Sequence, residues 1–181
     1  TTTAINLAAG ICGHGKRVLL VDLDPQGNAT TGCGIDKTQA NSGVYEVLTD
    51  TMSVKDASIT STATGFDVLT ANQHLAGAEI ELVGSAGREV RLKTALNKVI
   101  GEYDFILIDC PPALSLLTIN GLTAANFVII PMQCEYYALE GLSDLVDTIK
   151  RIKSHLNPEL EIGGLVRTMF DGRNSLSQQV S

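Results

Sequence analysis

The stretch Val18-Leu19-Leu20-Val21-Asp22-Leu23-Asp24-Pro25-Gln26-Gly27-Asn28 sets an unbroken apolar run directly against a polar, turn-forming one. An apolar run of this kind fits a strand buried on both faces, as in a parallel sheet. The residues before it read as a helix. Ile5, Ala8, Ala9 and Cys12 recur at helical spacing, and Gly13-His14-Gly15 ends the pattern with C-cap chemistry. Downstream the alternation continues. Val44 to Leu48 reads as a short helix, Ser53 to Thr64 as loop or edge, and Phe66 to Thr70 as a strand. Leu75 to Val83 and Val90 to Ile100 are helical, the latter with Leu92, Leu96, Val99 and Ile100 on one face. Phe105 to Ile108 reads as a second buried strand, Leu114 to Ala125 as a helix and Phe127 to Pro131 as a third strand. Leu139 to His155 is a long amphipathic helix that leads into strand Ile162 to Thr168. Strands alternating with helices from end to end predict an α/β fold with a mostly parallel sheet and helices on both faces. With no internal repeat, low-complexity tract or linker, residues 1–181 read as a single domain.

Composition narrows the function. Hydrophobic residues make up 44% and charged residues 18%, which supports a core and excludes a wholly disordered chain. Lys plus Arg number 13 against 20 Asp plus Glu, a net charge of −7, so the chain by itself is a poor generic nucleic-acid binder. Aromatics are 4% and Trp is absent, which argues against a lectin or a base-stacking platform. Cys12, Cys33, Cys110 and Cys134 form no C-x-x-C pair and no zinc-ligand spacing, and read as free thiols of a reducing cytoplasm. No apolar run reaches the ~18 residues of a membrane span. Ala4 to Cys12 has no basic region before it and is not a signal peptide. The chain opens Thr1-Thr2-Thr3 straight into a helical pattern, without an initiator Met or a first strand, and both ends read as cut.

Ligands of doubly wound sheets bind beyond the carboxyl ends of the strands. Three such ends carry polar residues: Asp22 and Asp24, Asp109, and Met132-Gln133-Cys134-Glu135. Asp109 closes an apolar strand in the Walker B manner, where a carboxylate helps hold hydrated Mg²⁺ beside a nucleotide; it could equally cap a loop. Asp24 could orient an attacking water at a phosphate, or simply make an Asp-Pro turn. Thr1-Thr2 opens a helix as the hydroxyl end of a P-loop does, or as a threonine N-cap does.

Taken together, Thr1 to Asn28, Asp104 to Pro112, Pro131 to Gly141 and Thr168 to Arg173 closely resemble, in order, the ParA/Soj chromosome- and plasmid-partition ATPases. The resemblance covers nearly the whole chain; only Lys37 to Thr64 is unremarkable. It implies a P-loop NTPase fold of the deviant Walker type, of which 1–181 is a partial ParA-type ATPase domain. Family members carry Lys-Gly-Gly-x-Gly-Lys-Thr-Thr before such a helix. The first strand and the P-loop lysines and glycines are missing from this sequence, as is a basic C-terminal part.

The resemblance implies ATP and Mg²⁺ as cofactors. Thr1 resembles the P-loop Thr that coordinates Mg²⁺, and Thr2 the next one, at the α-phosphate. Asp24 resembles the carboxylate that positions the hydrolytic water, and Asp109 the Walker B Asp beside Mg²⁺. Pro111 and Pro112 lie where switch II begins, Glu135 to Gly141 near the dimer face, and Met169 near the adenine. The family implies an ATP-bound homodimer that binds DNA non-specifically, a ParB/Spo0J-type centromere-binding partner that stimulates hydrolysis, and a cytoplasmic, nucleoid-associated location without membrane attachment. Three other readings are compatible with the core. A MinD-type division-site ATPase docks on membrane through a C-terminal amphipathic helix, and Asp-Pro-Gln-Gly-Asn favours the partition type over it. A nitrogenase iron-protein-like reductase needs cluster cysteines that Cys110 and Cys134 do not match in position. A catalytically dead interaction domain is opposed by the presence of both Asp24 and Asp109. The P-loop's absence leaves these 181 residues expected to be inactive alone.

Overall fold

Helix α1 (Thr2–Gly13) is built on Ala4, Leu7, Ala8 and Ala9, all strong helix formers, and buries Ala8. It ends where Gly15 takes φ +75° and donates its N–H to the carbonyl of Cys12. A computed structural model of the chain describes residues 1–133, 138–170 and 173, with side chains in the second stretch described from residue 141. The chain divides into two compact units, Thr1–Ala124 and Ala125–Ser181.

In the first unit β1 (Val18–Asp22) follows α1, with every residue buried. Then come α2 (Asn28–Gly32), α3 (Val44–Leu48), α4 (Val54–Ala57), β2 (Ser58–Thr60), β3 (Asp67–Leu69) and α5 (Leu75–Glu81). A 3₁₀ turn (Arg88–Val90) runs into α6 (Arg91–Asn97), and β4 (Phe105–Asp109) and α7 (Leu116–Ala124) complete the unit. The four strands stand in the order β2-β3-β1-β4. β1 is parallel to both β3 and β4, and β2 joins the edge antiparallel to β3. The Ser/Thr-rich segment expected as loop or edge thus supplies α4 and the edge strand β2.

Side chains of a strand alternate between faces, so a strand buried throughout needs cover on both. Leu19, Val21 and Leu69 point into a core with Val44, Leu48, Leu75, Leu92, Leu96 and Leu117 of α3, α5, α6 and α7. Val18, Leu20 and Val68 point the other way, against Ala8, Ala29, Cys33 and Phe66. Helices therefore cover both faces of this sheet. Full burial of a Leu or Val side chain contributes about 1.5–3 kcal/mol, and these two apolar layers are the principal source of the unit's cohesion. Arg17 fastens the opposite end of β4, its Nη2 3.1 Å from Oδ1 of Asp104, but in solvent.

β4 departs from the expectation of a strand buried on both faces. Phe105 is 48% exposed and Ile106 to Ile108 are half-buried. The reason is its position: β4 is an edge strand, paired with β1 alone among the described residues. Helix α2 was also absent from the sequence reading, which ended the strand in a polar loop. Its five residues, Asn-Ala-Thr-Thr-Gly, carry no helical periodicity, and the helix forms where Ala29 and Thr30 are buried.

The second unit pairs β5 (Phe127–Gln133) in parallel with β6 (Glu161–Thr168), joined through α8 (Ala138–His155). β5 extends through Pro131 to Gln133, two residues beyond the expected end; proline is admissible on such an edge strand. Asn157 donates to the carbonyl of Ala125 at 2.7 Å, and the N–H of Glu161 to that of Asn126 at 2.9 Å, which ties the end of α8 back to the start of β5.

Gly43 has no room for a side chain. Gly43 precedes α3 with an extended φ of 178°, which any residue can adopt. A Cβ there would lie 2.1 Å from the carbonyl oxygen of Thr70, because Val44 N–H bonds that same carbonyl at 2.9 Å. Gly43→Ala is expected to destabilise the protein by about 1–3 kcal/mol through overpacking alone. Urea denaturation checks it, and an unchanged midpoint would show that the α3–β3 contact yields freely.

Candidate functional site

The site begins with register. β1 and β4 are paired so that Asp22 lies opposite Asp109, and the N–H of Leu23 extends the ladder to the carbonyl of Asp109 at 2.8 Å. Both strands are parallel, so their terminal carboxylates emerge at the same end of the sheet. The backbone nitrogen of Thr1 lies 3.0 Å from Oδ1 of Asp109, which brings the start of α1 to that end too. Thr1, Asp24 and Asp109 are thereby gathered at the carboxyl ends of two neighbouring strands. Thr2 is exposed in the first turn of α1. Met169 belongs to the second unit, just past β6; it is left-handed (φ 54°) and exposed, with Gln133 Nε2 3.4 Å from its Sδ. Cys134 to Tyr137, which include part of the expected dimer-face segment Glu135 to Gly141, lie outside the described residues.

Asp109 is 6% exposed, and its Oδ2 is buried without a hydrogen-bond partner among the described residues. A buried carboxylate oxygen left unpaired costs at least 1–3 kcal/mol, roughly, unless a cation or water satisfies it. Thr1 occupies the N-cap position of α1, yet its side chain makes no capping bond. A hard carboxylate oxygen and a hydroxyl fit Mg²⁺, which takes one or two protein oxygens and completes its shell with water and phosphate. Among the described residues no three His, Cys, Asp or Glu side chains cluster as a metal cage.

Asp24 is half-buried at the head of the loop. Its Oδ1 accepts from the N–H of Gln26 at 2.9 Å, and its carbonyl from the N–H of Gly27 at 2.8 Å. Gly27 is left-handed (φ +62°), and a Cβ there would meet the carbonyl oxygen of Ala71 at 2.6 Å, so both backbone conformation and space require glycine. Beyond Asp109, the chain runs through Cys110-Pro111-Pro112 into α7. Gly121 of α7 comes so close that a Cβ would lie 2.7 Å from Sγ of Cys110 and 3.0 Å from Leu23. Glu79 Oε1 accepts from the N–H of Leu117 at 3.3 Å. Asn120, fully buried, accepts from the N–H of Leu92 and donates to the carbonyl of Arg88, which locks α7 to α6.

Sequence reading missed the buried partners of this loop. Asp22 accepts from Thr30, and Thr30 from Ala71. These contacts span 8 and 41 residues and follow no local motif. The only signal was negative: Asp22 is a charged residue continuing a buried apolar run.

The sequence profile of the AAA domain matches residues 1–162. The chain is 55% identical over 180 residues to the sporulation initiation inhibitor protein Soj of Bacillus subtilis, covering 99% of this chain and 71% of that protein. It is 51% identical over 183 residues to the chromosome partitioning protein ParA of Caulobacter vibrioides, covering 100% of this chain and 68% of that one. Among solved structures it is similar to cobyrinic acid a,c-diamide synthase of Mycobacterium smegmatis with a bound ATP analogue and magnesium. That match has a TM-score of 0.94 at 43% identity, covering 99% of this chain and 73% of the other.

Two thiols flank the site. Burial, with Asp22 and Asp109 adding repulsion, pushes Cys33 up to about 11; burial, with Asp109, pushes Cys110 up to about 12. Both thiols are therefore protonated at neutral pH; Cys33 is fully buried and Cys110 half-buried. Their folded values lie above the unfolded value of 9.0, so the stability they confer is whole below pH 9 and declines as the pH rises through 11 to 12. Native-state alkylation with iodoacetamide at pH 8 should spare the fully buried Cys33 and modify it after unfolding. Rapid native labelling of Cys33 would mean that its burial is not maintained in solution.

Proposed function

The chain belongs to the ParA/Soj family of partition ATPases, and from that premise we propose that it binds and hydrolyses Mg-ATP as a nucleotide-switched partition protein. One observation carries the site assignment: among the described residues, Oδ2 of Asp109 is buried without a hydrogen-bond partner. In this reading Asp109 and the Thr1 hydroxyl hold Mg²⁺, which when bound neutralises charge on the β- and γ-phosphates. Thr2 contacts the α-phosphate from the first turn of α1, where backbone N–H groups favour anions. Asp24 accepts a hydrogen bond from the attacking water and holds it in line with the γ-phosphate. Residues 1–181 are then one partial ATPase domain in sequence, a reading that the AAA-domain match across 1–162 supports.

The same reading extends to the assembly. ATP binding favours a homodimer, and the full-length dimer binds DNA non-specifically through residues beyond these, since this stretch has a net charge of −7. A ParB/Spo0J-type partner stimulates hydrolysis and resets the switch, with loss of the γ-phosphate freeing the conformation it held. The location that follows is the nucleoid in the cytoplasm. No described helix is long and apolar enough to cross a membrane. The synthase name of the mycobacterial structure shares ATP and magnesium with this reading. The greater identity to Soj, 55% against 43%, supports partition.

In the full-length protein, Asp24→Ala is expected to lower kcat about 100-fold, in the range of lost proton-transfer and positioning groups, while the Kd for Mg-ATP changes less than about threefold. Hydrolysis by the unmutated protein should rise with duplex DNA plus a ParB-type protein, and that of the variant should not. Phosphate-release assays beside calorimetry read both; equal loss of binding and turnover would make Asp24 part of the nucleotide anchor instead.

Residues 1–181 contain no G-x-x-x-x-G-K-[ST] sequence to cradle the β- and γ-phosphates: Gly10 to Lys16 match its first seven positions, but Arg17 follows where the hydroxyl residue belongs, and the stretch closes α1 rather than opening a helix. The 181-residue chain alone is therefore expected to bind Mg-ATP more weakly than about 1 μM (~8 kcal/mol of binding free energy) and to release no phosphate. Calorimetry showing micromolar binding with turnover would place the phosphates on residues outside this assignment.

A further inference from the structure

We propose that Asp22 is a positioning residue for hydrolysis: it clamps both ends of the segment 24–30 and so fixes the Asp24 carboxylate. The proposal rests on the reading of Asp24 given above. Asp22 is fully buried at the last position of β1. Its Oδ1 accepts from the N–H of Asp24 at 3.2 Å, at the start of the segment. Its Oδ2 accepts from both the N–H and the hydroxyl of Thr30, each at 2.8 Å, at the segment's end. The Thr30 hydroxyl in turn accepts from the N–H of Ala71 at 2.9 Å, just past β3. The backbone N–H of Ala71 can only donate. The hydroxyl's one hydrogen is therefore committed to Asp22, and the chain of donors has a single direction.

A carboxylate is the side chain this arrangement requires. It presents two acceptor oxygens to three donors and offers no hydrogen of its own when ionised. An Asn would face a donor with a donor at one end of the segment, whichever way its amide turned. The bonds are charge-assisted and buried, so they are strong and hard to replace with water. Between the two anchors, Gly27 is pressed against the Ala71 carbonyl, and Asp24 Oδ1 is occupied by the N–H of Gln26. Asp24 Oδ2 has no partner among the described residues. The clamp thus leaves one carboxylate oxygen free and the backbone beneath it held to β1 and β3. A surface Asp-Pro turn without these anchors would let Asp24 swing by an ångström or more, and misplacement of about 1 Å can cost a factor of about 100 in rate.

The test uses the full-length protein with Asp22→Asn, Thr30→Val and Thr30→Ser, each also made in an Asp24→Ala background. Asp22→Asn and Thr30→Val are expected to lower kcat about 10-fold or more, with the calorimetric Kd for Mg-ATP within about threefold of the parent. Thr30→Ser, which keeps the hydroxyl, should retain near-parental turnover. In the Asp24→Ala background the same two substitutions should lower the residual rate by less than about twofold, because a residue acting through Asp24 has nothing left to position. Should Asp22→Asn fail to fold, Thr30→Val, close to isosteric, carries the same comparison. Equal losses in both backgrounds, or parallel losses of binding and turnover, would overturn the proposal and leave Asp22 a structural residue. Parental turnover in Asp24→Ala alone is a separate result: it would remove the underlying reading of Asp24.

Discussion

The parallel ladder between β1 and β4 runs from Val18–Phe105 to Asp22–Asp109 without a slip, and the arrangement of the site depends on it. A shift of one residue would turn Leu19 and Val21 out of one core layer and into the other, since strand side chains alternate with a period of two. Two apolar layers of different shape therefore hold the register. Once it is held, the two strand ends are level, and Asp109, Asp22 and the loop of Asp24 open on one edge.

Burial of charge is tolerated at this edge in two different ways. Asp22 is fully buried and surrounded by donors, while burial itself pushes its carboxyl above the usual range, against the hydrogen bonds from Thr30 and Asp24. Asp109 is almost as buried, but one of its oxygens has no donor among the described residues. The first arrangement is complete within the protein; the second calls for a cation or water. This contrast separates a residue that shapes the loop from one that holds a ligand, although both are aspartates at adjacent strand ends.

The helices carry the site as much as the strands do. α1 brings Thr1 to Asp109, α2 returns Thr30 to Asp22, and α7 leaves the Asp109 loop under the close approach of Gly121 to Cys110. Asn120 ties α7 to α6 through bonds that a buried amide can satisfy only with both neighbours in place. The loop after Asp109 and the α6–α7 pair are thus joined by packed and hydrogen-bonded side chains.

Much of this was legible in the linear chain. Val18 to Val21 announced a strand covered on both sides, and the residues after Val21 announced a site at its carboxyl end. Apolar runs and glycine punctuation are local signals, and they report on burial wherever both faces of a strand are covered. They misreported Phe105 because the run Phe-Ile-Leu-Ile looks the same at an edge as in the middle of a sheet. Lateral position within a sheet depends on which strands pair, and no local pattern encodes that. The five-residue helix α2 was invisible for a related reason: it is too short to have a period and forms by packing Ala29 and Thr30 into the interior. The Asp22–Thr30–Ala71 chain lies furthest from the reach of sequence. Its members are unremarkable singly, and only the folding of β3 beside β1 brings the N–H of Ala71 to the Thr30 hydroxyl, 41 residues away.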